Sequence, residues 1–299
     1  VPEKKLKSAS IREKKAHVSA LNIVLHPHNE DLYIDLLMTI FNLKETMSIR
    51  GVTAITLGAC DDNHESSEGR CLHGVIYKFI KLDPDEPWYN VNTRSEAEKN
   101  EKNSISIPEH LKPHLEEFPF VFYPEGHRIY FISKKSNKYL PPSFLLSFFE
   151  KITKYPEFSR FKSIKFTIEP EQYLVDEILS LERIKKLYID VYQPNPDDHS
   201  SAEEKMQARL KSLNSSHIET IYTEADSSGI KPDDETKVMA KIAASNGNVT
   251  AKGVDSSGKL KELSTKDHHM SKEICYRESL VEKLLEFSRN LHKSIMSNT

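Results

Sequence analysis

At 299 residues the chain can bury one large core or two modest ones, and at 29% charged it holds no apolar run near the roughly 20 residues of a membrane helix. A formal net charge of −3 disfavours a wholesale polyanion binder, so any nucleic-acid role needs a local basic face. Three cysteines, Cys60, Cys71 and Cys275, are too few for a disulfide framework and point to a reducing cytoplasm.

Residues 1–16 read as a mostly basic tail, with Lys4, Lys5, Lys7, Arg12, Lys14 and Lys15 against Glu3 and Glu13. Such a tail is a solvated or frayed helical arm, or an arm on nucleic-acid phosphates. It lacks the apolar stretch of a secretory signal. Leu21, Ile23 and Leu25 alternate as a first strand, followed by His26-Pro27-His28-Asn29 and a helix carrying Tyr33, Leu36, Leu37, Ile40 and Phe41. Residues 50–58 and 74–82 read as paired strands around a polar loop. Residues 83–103 are polar, and Trp88 and Tyr89 within them are expected to pack onto the domain. Two strands, 118–122 and 128–132, flank the hairpin signal Tyr123-Pro124-Glu125-Gly126-His127. Pro141-Pro142 then opens a helix whose Phe144, Leu145, Phe148, Phe149 and Ile152 form a core stripe.

Ser163 to Asp198 reads as a compact βαβ unit. Ile164, Phe166 and Ile168 alternate, Pro170 opens a helix with Leu174, Ile178 and Leu181 on one face, and Leu187, Ile189 and Val191 alternate again. Beyond it come a charged helix over 201–213, a strand at 218–222 and a helix opened by Pro232-Asp233-Asp234-Glu235. Asn246-Gly247 is expected to end that helix in the left-handed manner. A hairpin over 249–263 and a last helix, 280–295, with Leu280, Leu284, Phe287 and Leu291 on one face, complete the chain. That last helix closes the core or a dimer seam. The pattern predicts an α+β protein with two lobes, 17–157 and 158–299, each a mixed β-sheet packed with helices.

Several constellations carry potential chemistry. Pro-Asp-Asp occurs twice, giving an acidic rim of Asp197, Asp198, Asp233 and Asp234, with Asp226 nearby; hard oxygen ligands suit magnesium or manganese in a metal-dependent nuclease or hydrolase. The same residues suit helix capping. Glu235-Thr236-Lys237 has the Glu-x-Lys ending of a restriction-type nuclease core, but falls at a helix start and not on a strand. Cys60, His64, Cys71 and His73 are ligand types for zinc, at a spacing that matches no common structural module. His26 and His28, with His268 and His269, could form an imidazole cluster or a general acid–base pair, though loop histidines also serve as surface or capping groups. Basic groups stand at Lys134, Lys135 and Lys138, at Arg160, Lys162 and Lys165, and at Arg183, Lys185 and Lys186. Tyr173, Tyr188 and Tyr192 lie close by, so these groups could track a DNA or RNA backbone, or simply solvate sheet edges. With 9 glycines and no phosphate-cradling loop, a nucleotide-dependent enzyme is disfavoured.

Five segments taken together resemble an uncharacterised bacterial family known as a domain of unknown function: His26-Pro27-His28, Ile107 to Pro113, Pro194-Asn195-Pro196-Asp197-Asp198, Ile230 to Thr236, and Ser264 to His268. The resemblance covers the chain from about residue 17 and implies a setting among mobile-element and phage-defence genes. The two-half plan is also similar to the phage exclusion protein RexA and the Kiwa defence protein KwaB, which implies a cytoplasmic, DNA-associated homodimer or other homo-oligomer. The resulting expectation is an anti-phage or abortive-infection component, without cofactor or membrane attachment, that binds nucleic acid or a phage or defence-system protein.

Overall fold

A segment with almost no charge from Ala16 to Leu25 has no wet face to offer, and it lies in the middle of a sheet. The computed structural model describes residues 12–63, 70–83, 86–103, 107–108, 110–171, 173–195 and 201–297. The central strand is β1 (Lys14–His26), followed by α1 (Glu30–Leu43), β2 (Met47–Arg50), β3 (Thr53–Asn63) and β4 (Cys71–Ile80). Next come β5 (Tyr89–Asn90), β6 (Ser95–Glu96), α2 (Lys99–Lys102), β7 (Glu116–Tyr123), β8 (Arg128–Lys135), β9 (Lys138–Tyr139) and α3 (Pro142–Ile152). The rest is β10 (Ser163–Ile168), α4 (Leu174–Leu179), β11 (Arg183–Tyr192), α5 (Ser201–Ser212), β12 (His217–Thr223) and α6 (Asp234–Asn246). It ends with β13 (Gly247–Val254), β14 (Leu260–Ser264), β15 (Lys272–Tyr276) and α7 (Leu280–Ser297).

Nine strands form one sheet in the order β10-β1-β8-β7-β4-β3-β2, with β15 also on β1 and β9 on β8. Four form a second sheet in the order β12-β11-β13-β14, and β5 pairs with β6 alone. The α+β class and the two helix-packed sheets are as expected. The ladders of both sheets are antiparallel, where the sequence pointed to mixed sheets. Five of these ladders, β2–β3, β3–β4, β7–β8, β8–β9 and β13–β14, join successive strands as hairpins, which requires antiparallel pairing.

Side chains alternate across β1. Ile23 lies opposite Phe166, which stacks on Phe149 of α3 at 4.9 Å, so the odd positions face α1 and α3. Asn22, whose Nδ2 donates to the Ser245 carbonyl at 2.9 Å, marks the other face, covered by α6 and α7. Helix α6 also packs on β11 and β13 and so serves both sheets. The cores do not divide at one point along the chain, because β10, β15 and α7 come from beyond residue 157 and join the larger sheet.

The expected βαβ unit is therefore corrected. Its first strand, β10, pairs antiparallel with β1, while its second, β11, runs between β12 and β13 in the other sheet. Leu174, Val175 and Ile178 of α4 pack into the smaller core, not across β10. The basic tail is shorter than expected: Lys14 to Val18 pair with β15, and Lys15 Nζ meets Glu273 at 2.7 Å. Tyr89 is 66% exposed and does not pack as anticipated. Gly247 has φ 165°, extended and not left-handed. Glycine is needed there for close approach, since a Cβ would lie 1.9 Å from the Asp190 carbonyl oxygen.

Beyond Asn22, β8 no longer accompanies β1, and the exposed ladder edge is completed by other groups. The Ile23 N–H donates to the His127 carbonyl at 2.9 Å. The buried Asn195 side chain then acts as a strand partner: its Nδ2 donates to the Ile23 carbonyl at 2.9 Å and its Oδ1 accepts from the Leu25 N–H at 3.2 Å. The Tyr33 hydroxyl donates to the same Oδ1 at 2.8 Å. Asn195→Ala leaves these buried groups unpaired and is expected to cost about 2–4 kcal/mol, read as a lowered urea midpoint. A loss under about 0.5 kcal/mol would refute this role.

On the opposite face His292 of α7 stacks on Tyr123 at 4.6 Å, and burial, reinforced by Arg128 and His127, pushes its imidazole down to about 4. The unfolded chain takes up this proton near 6.5 and the folded one near 4, so acid favours unfolding across that window. Stability is expected to be highest above pH 6.5 and to fall toward pH 4. His292→Phe should shallow that fall in urea titrations, and an unchanged slope would count against it.

Candidate functional site

The ends of four elements meet around a cleft of about 480 Å³. β1 supplies Val24 and His26, the start of β10 supplies Lys162, Ser163 and Lys165, and the end of β11 supplies Tyr192 and Gln193. The last turn of α5 and the loop after it supply Lys211 and residues 214–216. The Lys162 N–H donates to the His26 carbonyl at 2.8 Å, which joins the start of β10 to the end of β1. His26 Nε2 lies 3.4 Å from the Gln193 carbonyl, and the Gln193 N–H donates to the Ser216 carbonyl at 3.0 Å.

The charged side chains that line this cleft are of one sign, with Glu150 and Asp190 near Tyr192 outside the lining. Lys162, Lys165 and Lys211 are exposed, and none of the three makes an ion pair among the described residues. No carboxylate lines the cleft among the described residues. Lys165 Nζ sits 4.6 Å from the centre of the Tyr192 ring, a cation–π contact that holds the ammonium at the wall. Lys211 also complements the dipole at the end of α5. Burial lowers the His26 imidazole against the opposing pull of the Gln193 carbonyl, and His28, Lys211 and Lys162 push it down as well, so the ring is mostly neutral at pH 7. The Asn214 and Ser215 N–H groups donate to the Lys211 and Leu210 carbonyls and the Ser215 hydroxyl to the His217 carbonyl, so the three ammonium groups are what the wall offers to phosphate or sulfate oxygens.

Two of the six expected nucleic-acid residues, Lys162 and Lys165, are in this cleft. The other four lie elsewhere. Arg160 is bound to Asp35 at 2.7 Å and to Thr39, and lies over Phe161. Arg183 forks onto Glu224 at 2.7 and 2.9 Å. Lys185 and Lys186 stand at the far end of β11, about 20 Å from Tyr192. Lys135 is at the opposite side of the larger sheet, over Phe118. Sequence reasoning missed Lys211 and His26 as members of this site. Their motif and charge were visible, but their convergence depends on contacts between distant strand ends.

The acidic rim resolves differently. Asp233 is the N-cap of α6, its Oδ1 accepting from the Thr236 N–H at 2.8 Å, and this bond holds its carboxyl below the usual range. Asp234 is exposed and pairs with Lys237 at 3.2 Å, and Asp226 accepts from the Ser228 N–H at 2.8 Å. Asp197 and Asp198 lie outside the described residues. Glu235-Thr236-Lys237 occupies the first turn of α6, not a strand. Among the described residues no cluster of three or more His, Cys, Asp or Glu could hold a metal ion.

The zinc set is corrected for its described members. Cys60 pairs with Gly74 and Cys71 with Asn63, which offsets the thiols by three residues, about 10 Å, along the ladder. A zinc ion needs its ligands near 2.0–2.3 Å. Burial pushes the Cys60 thiol up to about 12, and His64 lies outside the described residues. The imidazoles do not gather as expected either. His28 joins Tyr33 and His127, whereas His269 bridges Pro170, beside the Ala20 carbonyl and about 20 Å along β1 from His26.

Because the His26 ring is mostly neutral and Lys211 and Lys162 push it down, an anion in the cleft should raise its pKa. Sulfate keeps its charge over pH 5–8, so the expected outcome is an upward shift of the His26 titration on adding it, read from the ring proton resonances. Lys211→Gln should reduce that shift. A titration insensitive to sulfate would refute the cleft as an anion site.

Two of the five segments named above, His26-Pro27-His28 and Pro194-Asn195, meet here through Asn195 and Gln193. A search of curated proteins finds no match. The profile of a domain of unknown function, DUF4747, covers residues 14–291, nearly all of both sheets and their helices. The chain therefore belongs to the DUF4747 family.

Proposed function

We propose that this protein is a non-catalytic nucleic-acid-binding component of bacterial phage defence, acting in the cytoplasm, and that the cleft of Lys162, Lys165, Lys211 and His26 holds the phosphate backbone. The observation that supports this most is the unneutralised charge: three exposed lysines without described ion pairs converge on one concave wall, in a protein of net charge −3. Concentrating positive charge in a cleft attracts a polyanion that the whole surface would repel. A single strand fits better than a duplex, because a cleft of about 480 Å³ admits a few nucleotides and not a rigid double helix. The phage-defence setting is carried over from the family resemblance of the five segments, and dimer formation from the expected likeness in plan to RexA and KwaB.

The test is fluorescence anisotropy with a labelled single-stranded oligonucleotide across a salt series. Three phosphate contacts predict a slope of log affinity against log salt of about −2. The triple variant Lys162→Glu, Lys165→Glu, Lys211→Glu should weaken binding by at least about 100-fold at low salt, whereas Lys185→Glu with Lys186→Glu should leave it within a factor of about three. Unchanged affinity in the triple variant would overturn the proposal. So would magnesium- or manganese-dependent cleavage of the oligonucleotide, which would favour a hydrolase.

A further inference from the structure

A second cleft, of about 510 Å³, opens on the α6–α7 side of the larger sheet. It is built differently from the basic one. Ala20 of β1 and Tyr130 of β8, which are register partners, lie at its sheet side. Val175, Ala244 and Leu291, from α4, α6 and α7, supply apolar walls. Three cations, Arg128, Lys241 and Lys272, are matched by three carboxylates, Glu169, Glu171 and Asp176, so the lining carries no net charge.

Most of its charged groups are already engaged. Arg128 Nε donates to Glu169 at 2.9 Å, Ser245 Oγ donates to the same carboxylate at 3.2 Å, and Lys241 meets Asp176 at 3.5 Å. The Tyr130 hydroxyl is a different case, a neutral polar group closed off from water. The ring is fully buried, yet the hydroxyl has no hydrogen-bond partner among the described residues. A buried phenol without a partner costs about 1–3 kcal/mol, and native structures rarely leave one bare. Beside a cleft large enough for a small molecule, a donor of this kind is what fixes a ligand's orientation.

We propose that this cleft binds an uncharged, largely apolar small molecule through a carbonyl oxygen that accepts from the Tyr130 hydroxyl. The balanced lining attracts neither anions nor cations, the walls reward apolar surface, and the buried polar group of the lining left without a partner among the described residues is a hydroxyl that can donate. This site is separate from the basic cleft and does not depend on nucleic-acid binding.

Acetophenone and toluene, alike in size and differing in the carbonyl, test it on the full chain by saturation-transfer NMR titration. Acetophenone should bind saturably and roughly tenfold tighter than toluene, as one buried hydrogen bond predicts. Tyr130→Phe should bring the two to equal affinity while toluene binding persists, which shows that the fold is kept. Leu291→Trp, on the cleft wall, should abolish both without changing the circular-dichroism spectrum. Absence of saturable acetophenone binding, equal affinities in the unmodified protein, or a ketone advantage that survives in Tyr130→Phe would each overturn the proposal. Persistence of binding in a folded Leu291→Trp protein would place the molecule elsewhere and overturn it as well.

Discussion

The central strand β1 must hydrogen-bond along both of its edges without help from water, and the rest of the fold is arranged around meeting that need. Val18 to Leu25 are buried without a break, so none of their peptide groups can turn to solvent for a partner. β8 takes one edge as far as Asn22, and β10 and β15 share the other end to end. What remains, the edge of Ile23 to Leu25, is met by a side chain, the amide of Asn195, because an unpaired buried peptide group is too costly to leave. That single requirement fixes where the exit of β11 must lie. Tyr192 and Gln193 come shortly before Asn195 in the chain, and so they are brought beside His26 and Lys162. The position of the basic cleft is thus a by-product of completing the central strand.

The two clefts separate two kinds of recognition in one small protein. One gathers like charges at the ends of elements, where solvent screens them and side chains are long and mobile. The other balances its charges beside the packed interior, where a fixed phenol and short apolar walls give shape in place of field. β1 contributes to both, through Val24 and His26 in the first and Ala20 in the second, but the chemistry they offer has little in common.

Much of the local structure was legible in the sequence. The alternation of Leu187, Ile189 and Val191, the proline-opened α3 with its phenylalanine stripe, and the hairpin over 249–263 all read from short-range pattern, and all are found. The capping role of Asp233 was also readable as one of two alternatives, because a carboxylate after proline at a helix start satisfies free amides. What could not be read was pairing across distance. Nothing near Phe166 says that its strand adds to β1 and not to the strand that follows it, and nothing near Lys272 marks β15, which opens on two exposed charges. The basic cleft was half legible for the same reason: Lys162, Lys165 and Tyr192 stood out as types, but Lys211 and His26 join them only through the meeting of strand ends.

The end-to-end sharing of one edge of β1 also has a consequence for how the chain is made. Lys15 meets Glu273 across 258 positions, so β1 is synthesised long before β15, the strand that completes its ladder. At roughly 5–20 residues per second that interval is tens of seconds, during which the Lys14–Val18 end of that edge stays open, while β10 can already cover Leu21–His26. The nascent protein passes through a stage in which one end of its central strand is made but unpaired, and Lys14 and Lys15 there discourage pairing with another chain until β15 arrives.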